Sequence, residues 1–71
     1  MNEVLHLTVN GEPTRVPGPA SVASLLRRLA YDPAGHLAVA VNKTFVPRAQ
    51  HQHHPLRDGD EIDVVAPMQG G

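Results

Sequence analysis

The chain contains no cysteine. Disulfide staples, a thiolate nucleophile, thiolate-bound zinc and a side-chain persulfide are all excluded. Any sulfur or redox chemistry must use a partner or a main-chain group. Tryptophan is also absent, and Tyr31 and Phe45 are the sole tyrosine and phenylalanine. A stacking platform for single-stranded nucleic acid needs more aromatic surface than that. There is no excess of either charge: six Lys and Arg face seven Asp and Glu, a formal charge of −1. A near-neutral chain without a basic stripe argues against nucleic acid as the main partner. No apolar run approaches the roughly 20 residues of a membrane span. Met1–Glu3 does not open a signal peptide, so no membrane association and a cytoplasmic location are expected.

The 71 residues allow one domain, and 41% hydrophobic residues suffice for one small core. Leu5, Leu7 and Val9 alternate with His6 and Thr8, which predicts a strand over Val4–Val9. Asn10-Gly11 suits a type I′ turn, and a short return strand follows over about Pro13–Val16. Pro17-Gly18-Pro19 should break regular structure. Ser21 is a good N-cap. Val22, Leu25, Leu26 and Leu29 form one apolar face of a helix expected from Val22 to Ala30, with Arg27 and Arg28 in its last turns. Leu37–Val41 is continuously apolar and reads as a central strand buried on both faces. Asn42-Lys43-Thr44 turns, Phe45-Val46 starts a short strand, and Pro47 ends it. Arg48–Pro55 is polar. Leu56 stands alone as a core plug, Asp58-Gly59-Asp60 is a turn, and Ile62–Ala66 is the last strand. The order is β-β-α-β-β-β, a domain over 1–67 followed by a flexible tail over 68–71.

Gly70-Gly71 carries the most chemical information. Two glycines without Cβ atoms thread a narrow channel, and a terminal carboxylate beside them is open to attack. ATP activates such a carboxylate as an acyl-adenylate, which a nucleophile then takes. The dipeptide alone fits a frayed terminus better. Its position four residues beyond the last strand of this topology is what singles it out.

The whole pattern resembles the ThiS-type sulfur carriers of the ubiquitin-like β-grasp group. The resemblance runs through Ser21-Val22 with Leu25-Leu26, Val39-Ala40-Val41-Asn42, Val46-Pro47-Arg48, Leu56-x-Asp58-Gly59-Asp60-x-Ile62, and the terminal Gln69-Gly70-Gly71. It implies an α+β fold: a mixed four- or five-stranded sheet with one helix across it. It also implies a carrier without catalytic residues and without a bound cofactor. In such a carrier Gly71 is adenylated by an E1-like, ThiF-like adenylyltransferase using ATP. A persulfide donor then supplies sulfur to form a thiocarboxylate, which a ThiG-like thiazole synthase consumes in making the thiamine thiazole. Gly70 gives the tail its access. A molybdopterin-synthase-type carrier and a ubiquitin-like modifier are the alternatives; Pro67-Met68-Gln69 fits the ThiS type better.

Other residues carry weaker signals. Met68, Gln69, Val65 and Arg48 are expected to touch a partner; Phe45 and Val46 are further candidate contacts, and Lys43 flanks the same region. Phe45 is expected in the core, where one buried aromatic is valuable in a small domain. His51, His53 and His54 could gather a metal, but a polar loop lacks the support a true site needs. They are read as a solvated loop, dispensable for function, with no metal bound. Asp58, Asp60, Glu61 and Asp63 form an acidic cluster. It is read as turn chemistry and as a face that steers a basic partner, not as a catalytic pair.

Overall fold

The computed structural model describes residues 3–31 and 37–65. Two seven-residue strands, β1 (Glu3–Val9) and β2 (Glu12–Gly18), pair antiparallel along their full length. Asn10 and Gly11 join them with φ angles of 51° and 83°, the left-handed values a type I′ turn requires. The return strand is longer than expected. Pro13 and Pro17 do not stop it, because β2 is an edge strand and one rank of its amides has no partner strand to meet.

Helix α1 (Val22–Arg28) opens on a capping box. The Ser21 hydroxyl accepts from the Ser24 amide at 3.1 Å, and the Ser24 hydroxyl accepts from the Ser21 amide at 2.8 Å. The helix ends two residues before the expected Ala30. Ala30 takes φ 66°, and the amides of Ala30 and Tyr31 return to the carbonyls of Arg27 and Leu26. Those two bonds make a Schellman motif, which glycine usually closes. Alanine is a strong helix former, so the sequence hides this stop.

Three more strands follow: β3 (Ala38–Val41), β4 (Thr44–Val46) and β5 (Glu61–Val65). A 3₁₀ helix over Arg48–His53 lies between the last two. The sheet runs β2-β1-β5-β3-β4, with β1 and β5 parallel and every other pair antiparallel. One helix across a five-stranded mixed sheet is the β-grasp arrangement expected from the resemblance. Among the described residues no helix is long and apolar enough to cross a membrane.

The core fills the space between α1 and one face of the sheet. Leu5, Leu7, Val9, Val16, Val39, Val41, Val46, Ile62 and Val64 meet Val22, Leu25 and Leu26 there. Leu56 plugs this core as expected; its amide donates to the Ala20 carbonyl at 2.8 Å. The expectation that Leu37–Val41 is buried on both faces fails. Val39 and Val41 are buried, but Ala38 is exposed and Ala40 half-buried. A single helix covers a single face, and alanines on the other side expose little apolar area.

Candidate functional site: the open sheet face and the root of the tail

β5 is the central strand, and three asparagine and aspartate side chains fix its position. At its start, Asn42 Oδ1 accepts from the Glu61 amide at 3.0 Å, and Asn42 Nδ2 donates to Asp60 Oδ1 at 3.0 Å. Asp60 Oδ2 closes the preceding turn by accepting from the Arg57 amide at 2.8 Å. Near its end, Asn10 Oδ1 accepts from the Val64 amide at 2.8 Å. That bond adds a rung to a β1–β5 ladder in which the Thr8 and Asn10 amides already donate to the Asp60 and Ile62 carbonyls. Both asparagines sit at φ 51°, a conformation asparagine tolerates better than most residues. Their side chains are thereby turned from the hairpins toward β5.

The turn before β5 is also anchored. Asp58 Oδ1 accepts from the His6 amide at 2.7 Å and lies 3.1 Å from His6 Nδ1. The Gly59 amide donates to the His6 carbonyl at 2.7 Å. The His6 backbone amide, with its ring second, holds the Asp58 carboxyl below its ordinary value of 3.8. The acidic cluster therefore serves turns, as expected for Asp58 and Asp60. Glu61 pairs with Lys43 across 3.5 Å of exposed surface.

The sheet face away from α1 is open. Val65 is 62% exposed and Phe45 63%. The expectation that Phe45 is core is corrected here. Val46 is buried, and strand alternation sends its neighbour to the opposite side. Register links these residues across the face: Phe45 pairs with Ala40, Ala40 with Asp63, and Ala38 with Val65. An apolar patch of Phe45, Ala40, Ala38 and Val65 thus ends at the last described residue of β5. Phe45, weighed as a contact but expected in the core, is the exposed one, and Val46, the other candidate contact, is buried; the same alternation signals both, while sequence reasoning missed the alanines.

Val65 lies at the root of the tail. Arg48 opens the 3₁₀ helix, two positions beyond Val46, and Val46 pairs with Val39 beside Ala38. The end of β4 and the end of β5 therefore share one end of the sheet. Met68, Gln69, Gly70 and Gly71 lie outside the described residues.

The histidine segment is not uniformly solvated. His53 is exposed and His54 half-buried, but His51 is buried against the domain. Its Nε2 lies 3.1 Å from the Val46 carbonyl, and since a carbonyl only accepts, Nε2 carries the proton. Reading three polar histidines as one exposed loop missed the inward turn of a 3₁₀ helix. No group of three or more His, Asp or Glu among the described residues is arranged to hold a metal.

Comparison with known proteins agrees with this architecture. The model of the ThiS family matches residues 7–71. The chain is 36% identical over 63 residues to a sulfur carrier protein ThiS from Thermus thermophilus, covering 89% of this chain and 95% of that one. It is 31% identical over 67 residues to a thiazole synthase from Paramagnetospirillum magneticum, of which it spans only 20%. The crystal structure of a thiamine biosynthesis protein (ThiS) from Geobacter metallireducens superposes with a TM-score of 0.76 at 33% identity, over the full length of both chains. The chain belongs to the ThiS family.

Proposed function

We propose that this protein is a sulfur carrier for thiamine thiazole synthesis and that Gly71 bears the sulfur. The observation that carries the reading is the family match itself, which runs unbroken to Gly71 and so includes the terminal glycine pair. A central, pinned β5 whose end meets an exposed apolar patch supports it. Such a strand ends in a fixed place beside an apolar surface that suits an enzyme partner. The Thermus relative is a sulfur carrier protein, and the Paramagnetospirillum thiazole synthase contains a segment like this chain. That second likeness favours a thiazole synthase as the consumer of the sulfur.

The chemistry needs nothing from this chain but its terminus. A Gly71 carboxylate oxygen attacks the α-phosphorus of ATP in an E1-like adenylyltransferase, and pyrophosphate leaves. The terminal sulfur of a donor persulfide displaces AMP from the acyl carbon. Attack by a thiol on the resulting sulfur–sulfur bond releases the thiocarboxylate and leaves a disulfide behind. That thiol belongs to a partner, because this chain has no cysteine. A ThiG-like thiazole synthase then receives the sulfur.

Incubation with ATP, a ThiF-like adenylyltransferase and a persulfide donor tests this. Intact-protein mass spectrometry is expected to show sulfur replacing one oxygen at Gly71. Conjugates to lysine, or an unchanged carboxylate, would overturn the proposal.

A further inference from the structure

Asp63 stands within the apolar half of the open face. It pairs with Ala40, which pairs in turn with Phe45, and Val65 follows two residues along the same side of β5. The other acidic groups around β5 are engaged. Asp58 holds His6, Asp60 holds Asn42 and the Arg57 amide, and Glu61 holds Lys43. The half-buried side chain of Asp63 makes no hydrogen bond or ion pair among the described residues.

We propose that Asp63 is a specificity-determining contact on the open face, met by a guanidinium or ammonium of the adenylating enzyme. This rests on the carrier reading above. The patch ends at the root of the tail, so an enzyme that draws in the tail covers the patch. Covering it removes water from the Asp63 carboxylate. A carboxylate buried against apolar surface without a counter-charge opposes binding, whereas a cation placed against it restores the lost hydration. Asp63 therefore rejects apolar surfaces that lack a cation and accepts one that presents it beside a pocket for Phe45. The acidic groups along β5 and its turn draw a cationic surface to the same place.

The sign of a single substitution separates the possibilities. Wild type, Asp63→Asn, Asp63→Lys and Asp63→Glu are compared by ATP–pyrophosphate exchange with the adenylating enzyme of the same source, and by calorimetric binding. The expected result is a KM raised about tenfold or more in Asp63→Asn and further in Asp63→Lys. kcat should stay within roughly twofold. Asp63→Glu keeps the charge and should stay near wild type. The KM of Asp63→Asn should depend less on salt than that of wild type. Each variant is checked by its amide NMR spectrum. If wild type is adenylated and Asp63→Asn binds equally or more tightly, no cation meets Asp63 and this proposal falls alone. A loss shared equally by Asp63→Glu assigns the effect to packing and has the same consequence. A wild-type chain neither bound nor adenylated overturns the carrier reading and this contact with it.

Discussion

His51 turns inward because its Nε2–H has a carbonyl to meet, that of Val46 at the end of β4. Truncation to alanine removes that hydrogen bond and leaves the buried space of the ring unfilled. His51→Ala is expected to lose about 1–3 kcal/mol of stability in urea unfolding. His53→Ala, at an exposed position, should stay within about 0.5 kcal/mol. Equal losses would refute the distinction. Asp58 gives a pH prediction at the same scale. Its folded carboxyl titrates below the ordinary 3.8. Its contribution is therefore fully present above that value and is lost as pH falls through the lower folded one. The stability gap between wild type and Asp58→Asn should close on acidification, as read from urea midpoints across pH. A gap of constant size would exclude the His6–Asp58 contact as its origin.

At the scale of elements, two backbone positions should respond in opposite directions. Ala30 closes α1 at φ 66°, so Ala30→Gly should raise the thermal midpoint by the equivalent of about 1 kcal/mol. Gly11 holds φ 83°, and a β-carbon added there would meet nothing within 4 Å. Gly11→Ala should therefore cost about 1 kcal/mol through backbone strain alone. Matching signs would show that φ does not control these ends. β4 and β5 offer a second contrast. Ile62 is fully buried, and Ile62→Ala should lose about 2–5 kcal/mol in chemical unfolding. Phe45→Ala should change stability by less than about 0.5 kcal/mol while weakening partner binding. A large stability loss at Phe45 would return it to the core.

These elements also show what the sequence made legible. Period-2 alternation in Val4–Val9 and Asn10-Gly11 between two strands state the first hairpin outright. The Ser21 cap and the apolar spacing after it state the helix start. Its end was hidden because alanine holds a position that glycine usually marks. The face of β3 was misjudged because alanine reads as apolar whether it is covered or not. At the site, Val65 and the glycine pair stand out in the sequence. The patch that Val65 belongs to does not, since Phe45, Ala40 and Asp63 are neighbours only through strand register. The clamping of β5 by Asn10 and Asn42 is likewise a product of turn geometry, invisible in composition.

For the molecule as a whole, none of the described core residues lies beyond Val64, and Gly71 is outside the described residues. Deleting Gly71 shortens the reach of the tail by roughly 3.3–3.6 Å in an extended chain. On the proposed carrier role, adding a residue carries the carboxylate too far and brings bulk into the enzyme's channel. Activation requires the attacking oxygen within a few ångströms of its target, where small misplacements are costly. Both variants should keep the wild-type melting temperature and form neither adenylate nor thiocarboxylate by mass spectrometry. Thiazole synthesis by the extended variant, untrimmed, would remove Gly71 from the reaction.

The place of β5 between β1 and β3 also has a mechanical side. On the proposed carrier role, an enzyme that takes up the terminus places its load on this strand at Val65. A strand at a sheet edge, pulled outward, peels away one hydrogen bond at a time. Pulled along its length between two neighbours, β5 loads the rungs to β1, the Asn10 bond to Val64 and the four-residue pairing with β3 together. The load is shared by both hairpins, which β5 joins into one sheet. Load arriving at Val65 is thus spread over several rungs at once.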